Sequence, residues 1–269
     1  MNLKSGLAAA LVAAVVAAVV SVALAHFIYG RGGLAGGVAS SGGQLDSMEV
    51  EAIVRGYLTK NPEILVEMTN ELDKRQQAEQ SATQEKAISE NAEKLFRSPG
   101  AFIAGNPDGD VSVVEFFDYN CGFCRRALPD VVKLIDGDNK VRLVLKELPI
   151  FGEDSEAAAK AALAAHKQGK YFEMHQKLFT EPGKADKAKA LSIAKELGLD
   201  VAQLEKDMDD ASVKQALDES KELAQKLGLQ GTPLYLIGDR VVPGAPDDLY
   251  EQLTKNVSEV REKGCKATC

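Results

Sequence analysis

The sequence predicts an α/β domain carrying a long helical insertion and preceded by a helical stalk. Runs of β-formers bounded by turn residues fall at 101–119, 140–150 and 232–242. Between the second and third, residues 153 to about 228 keep helical periodicity almost throughout. Ahead of residue 98 lies a further helical stretch whose apolar stripe stops partway. The resulting order is β-β-α-β, a helical block, then β-β-α. A chain of 269 residues suffices for one or two domains with a real core, and 45% hydrophobic with 27% charged residues is ordinary for a folded protein. A net charge of −8 argues against nucleic acid as a partner.

Taken in order, the chain opens with an apolar run, Leu7–Ala25, interrupted only by Ser21 and just long enough to cross a bilayer. Ala23-Leu24-Ala25 reads as a signal-peptide cleavage site, but Phe27, Ile28 and Tyr29 continue the apolar character. Residues 1–29 are therefore expected to act as an uncleaved signal anchor, with a cleaved signal peptide as the alternative. Either one exports the rest of the chain, where disulfides persist. Residues 30–44 are Gly/Ser-rich and should form a flexible tether.

Residues 45–97 are the expected stalk. Asp46 and Glu49 have the spacing of a capping box, and Val50, Ile53, Val54, Tyr57 and Leu58 follow helical spacing. Asn61-Pro62 reads as a second helix start, with Asn61 as cap and Ile64, Leu65, Met68 and Leu72 on one face. Residues 74–94 are polar all round, a solvated connector. An unbroken helix over 62–96 would reach roughly 50 Å. The apolar faces ahead of the connector are expected to pair with the same segment of sister chains rather than with the chain's own domain.

The main domain is expected over 98–269. It should start with a short edge strand at 101–103, a turn at 106–110 and a central strand at 111–119. A helix then begins at Cys121, carries Leu128, Val131, Val132, Leu134 and Ile135, and is kinked by Pro129. A strand at 140–150 precedes the helical insertion, whose breaks fall at Gly169, at Pro182-Gly183 and from Gly198 to Asp200. A hairpin turning at Gly238-Asp239 and a helix from about Ala245 to Glu262 complete the plan.

Four cysteines form two close pairs, Cys121 with Cys124 and Cys265 with Cys269. A zinc site needs four ligands, and His26, His166 and His175 have no ligand spacing, so no metal is expected. A purely structural bridge across two residues closes too small a loop to constrain the unfolded chain much. A redox pair uses the spacing directly, since one thiolate attacks a partner's disulfide and its neighbour resolves the mixed disulfide. Cys121 sits where a strand hands over to a helix, so free N–H groups and the helix dipole favour its thiolate, with Arg125 and Arg126 adding positive charge. Cys121 is thus the expected nucleophile and Cys124, one turn in, the shielded resolver. The Cys121–Cys124 disulfide is the working group, with no other cofactor expected. Cys265 and Cys269 are expected to form a local disulfide, against a soft-ion site or a frayed tail.

The stretch "VVEFFDYNCGFC", Pro129 in the following helix, the long helical insertion and Gly231-Thr232-Pro233 opening a late strand resemble the DsbA-like branch of the thioredoxin superfamily, over about residues 98–263. The resemblance implies a thioredoxin fold in which Pro233, preceded by Thr232, is cis and lies against the disulfide. It implies a role for Glu115 as a buried acid beneath the thiols, with Lys146 on the neighbouring strand as its partner. Gly122-Phe123 departs from the Pro-His dipeptide of strongly oxidising members and is closer to the Gly-Tyr of DsbC-type isomerases; Thr232 points the same way. The stalk motif "YLTKNPEIL" resembles that of suppressor-of-copper-sensitivity C proteins, which implies a homo-trimer with isomerase or shuffling activity. The expectation is a periplasmic thiol–disulfide oxidoreductase acting on unfolded or misbridged exported proteins, with a membrane redox partner. The alternatives are a monomeric dithiol oxidase and a periplasmic copper-binding protein.

Overall fold

The computed structural model describes residues 46–98 and 101–265. The expected anchor and tether, and Cys269, lie outside the described residues. Among the described residues no helix is long and apolar enough to cross a membrane. By its internal contacts the chain divides into two units, residues 1–66 and 67–269.

In the first unit, helix α1 (Ser47–Lys60) opens with the expected capping box: the Met48 N–H donates to the Asp46 carboxylate at 2.8 Å and the Asp46 N–H to Glu49 at 3.4 Å. Val50, Ile53, Val54 and Tyr57 are exposed on the single chain. Asn61 does not cap the next helix as expected. Its side-chain amide donates back to the Tyr57 carbonyl at 2.8 Å, satisfying an acceptor that the end of α1 leaves orphaned.

Helix α2 (Glu63–Glu90) follows, 28 residues and about 42 Å long. The continuous helix expected to residue 96 is instead broken at Asn91, whose amide donates to the Ala87 carbonyl at 2.8 Å, and α3 (Ala92–Phe96) starts afresh. The connector is also not solvated to its end. Within the second unit, Ala87, Ile88, Ala92, Leu95 and Phe96 are buried with Val114, Phe116, Leu223 and Leu236. Their apolar stripe is too short to stand out within so polar a stretch.

The second unit holds one sheet of β1 (Phe102–Gly105), β2 (Val111–Phe117), β3 (Val141–Glu147), β4 (Leu234–Ile237) and β5 (Arg240–Pro243), in the order β1-β3-β2-β4-β5. β2 and β3 run parallel and the other pairs antiparallel. The expected edge and central positions of β1 and β2 are as found. Every residue of β2 and β3 is buried, as expected of strands covered on both faces. One face packs Val113, Phe117, Leu143 and Tyr235 against α4 (Gly122–Gly137), α10 (Leu249–Lys263) and the insertion; the other packs Val114, Phe116 and Val144 against α3 and α9 (Ala211–Lys226).

The insertion begins with α5 (Glu153–Lys167), whose buried alanines, among them Ala158, Ala161, Ala162 and Ala165, let α6 (Tyr171–Thr180), α7 (Lys187–Glu196) and α8 (Val201–Met208) approach closely. Its breaks fall where expected, with one more before α9, where the Asp210 side chain caps by accepting from the Ser212 N–H at 2.7 Å. The β4–β5 turn uses Gly238 at φ +59, a conformation few other residues adopt. α4 runs on through Pro129. α10 begins at Leu249 rather than Ala245, and the Ala245 carbonyl, which a helix starting there would use in its first turn, is taken by Arg126.

Candidate active site

The central strand ends at Phe117, and the next residues are pinned before the helix begins. The Asp118 carboxylate accepts from the Asn120 N–H at 2.7 Å, the Ser155 hydroxyl at 2.8 Å, and the Ile150 and Phe151 N–H groups at 2.7 and 3.1 Å. The Cys121 N–H donates to the Asp118 carbonyl at 3.0 Å, leaving Cys121 as the N-cap residue of α4. Both Cys121 and Cys124 are buried free thiols. The Cys121 sulfhydryl donates to the Thr232 carbonyl at 3.2 Å, and the Thr232–Pro233 peptide is cis. Fold and loop thus bring Cys121, Cys124, Thr232 and Pro233 together.

The two sulfurs differ sharply. The Cys124 thiol, donating to Cys121, is the largest influence holding the Cys121 pKa down at about 5, against burial, which raises it. The Thr232 side chain and the N–H groups of Cys124 and Phe123 add to the lowering. The buried Thr232 hydroxyl has no hydrogen-bond partner in the dithiol, which leaves it free to serve the thiolate. Burial, and the loss of its proton's partner, push the Cys124 thiol far above the ordinary range.

Arg125 and Arg126, expected to add positive charge, are not among the leading influences on Cys121. The Arg125 guanidinium donates to the carbonyls of Phe179 and Glu181, and that of Arg126 to the Ala245 carbonyl at 2.6 Å while lying 5.0 Å from the Phe123 ring centre. Hydrogen-bond donors, not cations, lower the Cys121 pKa. A side chain at Gly122 would meet open space, and Phe123 is 56% exposed.

Glu115 lies on β2, 3% exposed, and burial lifts its carboxyl to about 8. The Tyr235 hydroxyl on β4 donates to it at 3.1 Å. Its charge is also among the influences raising the Cys124 pKa. Lys146 is not its partner. The register sets Glu115 beside Leu145 and Phe116 beside Lys146, so the two side chains leave opposite faces of the sheet. The Lys146 ammonium instead donates to Glu219 on α9 at 2.7 Å.

Three features escaped the sequence reading. Tyr235 is one; the Asp118 anchor is the second. The third is Glu147 at the end of β3, fully buried, accepting from the Tyr119 and Tyr171 hydroxyls at 2.9 and 2.7 Å. Burial raises its carboxyl well above the usual range and holds His175, 3.2 Å from the Tyr119 hydroxyl, down at about 3. The one available signal was an acid inside a strand buried throughout. Among the described residues no cluster suits a metal ion. Cys265 is disulfide-bonded, and its expected partner Cys269 lies outside the described residues.

A family model described as a DSBA-like thioredoxin domain matches residues 112–255, and one described as the copper resistance protein ScsC N-terminal domain matches residues 48–79. A probable disulfide bond formation protein D of Bacillus cereus is 34% identical over 169 residues, 58% of this chain and 78% of the relative. The Na(+)/H(+) antiporter NhaA 1 of Salinispora arenicola is 30% identical over 51% of this chain, and the match spans only 22% of that antiporter's length. A thioredoxin-like oxidoreductase structure from Silicibacter pomeroyi superposes with a TM-score of 0.62 at 49% identity, covering 64% of this chain and 98% of the other. A linker-deletion variant of Proteus mirabilis ScsC gives a TM-score of 0.62 at 32% identity, covering 83% of this chain and 100% of the other.

Proposed function

The chain belongs to the DsbA-like thioredoxin family of thiol–disulfide oxidoreductases, and on that premise we propose that it rearranges disulfides in unfolded or misbridged exported proteins through Cys121 and Cys124, as a periplasmic homo-trimer. The observation that carries the roles is the opposed tuning of the two thiols, one held at about 5 and the other pushed far up. The Cys121 thiolate attacks a client disulfide, forming a mixed disulfide and releasing one client thiolate. When a different client thiol then displaces Cys121, the client's bridge has moved and no electrons are transferred in net. When Cys124 attacks Cys121 instead, the client leaves reduced and the protein disulfide forms, a net two-electron transfer. Run in reverse, that second path donates a disulfide. Cys124 must lose a proton to act, and the carboxylate form of Glu115, whose share grows as pH rises toward about 8, is the nearby buried group proposed to take it. A membrane redox partner resets the pair.

Trimer and isomerase belong together. Several sites facing one held client raise the effective thiol concentration around it, which a single domain does not. The stalk's match to the ScsC N-terminal family and its bare apolar side chains, Ile53 and Tyr57 at 59% and 60% exposed, support assembly through it. Light scattering and refolding of scrambled ribonuclease test the proposal on the unmodified protein and on an Ile53→Asp, Tyr57→Asp variant. The expected result is a trimer that unscrambles, and a monomeric variant that oxidises dithiols but unscrambles poorly. A monomeric unmodified protein, or a monomeric variant that unscrambles equally well, would leave the stalk a spacer and favour the dithiol oxidase.

A further inference from the structure

Beside the Cys121 loop opens a groove of about 1100 Å³, lined in part by Phe123, Thr232 and Pro233. Since the Thr232 carbonyl touches the Cys121 sulfur at 3.2 Å, a chain segment reaching that sulfur has this groove at its side. One wall, at Pro243–Pro246, has backbone groups already engaged. The Gly244 N–H donates to the Pro233 carbonyl at 2.8 Å and the Ala245 carbonyl accepts from Arg126 at 2.6 Å.

The facing wall comes from α2. Gln77, Gln80, Ser81 and Gln84 line the groove, and their i, i+3, i+4, i+7 spacing places them on one face of the helix. The Gln84 amide donates to the Leu227 carbonyl at 3.2 Å, tying this face to the groove floor. Gln77, Gln80 and Ser81 are exposed. Of the charged residues of the same stretch, Glu79 and Lys86 fall on the opposite side of the helix and Glu85 on its flank. Arg126 and Lys226 also line the groove but donate to the Ala245 carbonyl and to Glu222, so what α2 adds to the groove is exposed, neutral hydrogen-bonding capacity.

We propose that this amide and hydroxyl face of α2 grips the backbone of an extended client segment on one side of the cysteine bonded to Cys121. The proposal rests on the thiol–disulfide reading above and adds the substrate's form to it. An unfolded segment offers alternating N–H and C=O groups whatever its sequence, and each glutamine amide both donates and accepts. Neutral partners bind such a backbone without selecting for charge. Phe123, at 56% exposure, offers an apolar contact to a client side chain in the same groove.

The test uses the reduced full chain and a short unstructured peptide whose single cysteine is disulfide-bonded to nitrothiobenzoate. The Cys121 thiolate attacks the peptide sulfur and expels the coloured nitrothiobenzoate. Cys124 then gives up its proton, attacks Cys121 and releases the peptide thiolate, so that the protein dithiol is oxidised as the probe is reduced. The small reagent dithiobis(nitrobenzoate), with no peptide to reach α2, reports the thiols alone. A Gln77→Ala, Gln80→Ala, Ser81→Ala variant should react about tenfold more slowly with the peptide and unchanged with the small reagent. Glu79→Ala should alter neither rate. Equal peptide rates in the variant and the unmodified protein would overturn the groove proposal and leave the redox reading standing. Equal losses with both reagents would also overturn it, by making the helix a support for the thiols. An unmodified protein that reacts with neither reagent would sink the redox reading, and this proposal with it.

Discussion

Removing the Cys124 thiol should raise the pKa of Cys121, and the size of the rise follows from what that thiol does. Cys124 is the largest of the influences holding Cys121 at about 5. A hydrogen bond to a charged group contributes about 1.5–3 kcal/mol, and one pKa unit corresponds to about 1.4 kcal/mol. Cys124→Ala should therefore move Cys121 up by about one to two units. Cys124→Ser keeps an O–H donor in the same place and should stay close to the unmodified value. Thr232→Val removes a weaker donor and should give a smaller rise. Among the described residues Cys121 is the free thiol left in both Cys124 variants, because Cys265 is disulfide-bonded. Thiolate absorbance against pH, checked by the rate of iodoacetamide alkylation, reads the titration. In the unmodified dithiol, a pKa near 5 leaves Cys121 about 90% thiolate at pH 6, so it should be alkylated far faster than Cys124. An unchanged pKa in Cys124→Ala, or an equal rise in Cys124→Ser, would refute the reasoning.

Two further substitutions probe the groups around the thiols. Glu115 has its carboxyl raised from 4.5 to about 8, so its folded state holds a proton that the unfolded chain releases. Stability from this source is full below the unfolded pKa and is lost as pH rises to about 8, at up to about 1.4 kcal/mol per pH unit. Urea unfolding of the oxidised protein, in which the active-site thiols do not titrate, should show Glu115→Gln losing less stability between pH 5 and 8, while Glu147 keeps its own share; identical slopes would contradict the burial argument. Asp118→Ala leaves the N–H groups of Asn120, Ile150 and Phe151 and the Ser155 hydroxyl without their acceptor and should cost roughly 3–5 kcal/mol in denaturant unfolding. A loss under about 1 kcal/mol would mean the loop is held by other contacts.

The sequence by itself determined the features that depend on neighbours a few residues apart. The capping box at Asp46 and Glu49, the turn at Gly238, and the placement of Cys121 at the head of a helix all arise within one turn of chain. So does the spacing that sets a second thiol within reach of the first. Tertiary structure decided the features that depend on how separate segments align. Lys146 and Glu115 sit on adjacent strands, and a shift of one residue in the register of β2 and β3 would send either side chain to the other face. No local pattern encodes that register. The same holds for Arg125 and Arg126, which are adjacent to the thiols in sequence but drawn away by carbonyls more than fifty residues along the chain. It holds for Tyr235, brought to Glu115 by the antiparallel pairing of β2 and β4. Residues 87–94 read as solvated because their few apolar side chains are scattered among charges, and only the sheet face that covers them reveals a core. Local geometry placed the nucleophile, whereas its acid, its donors and their pKa values depended on long-range packing, where a buried group's energy is set by the partners it meets.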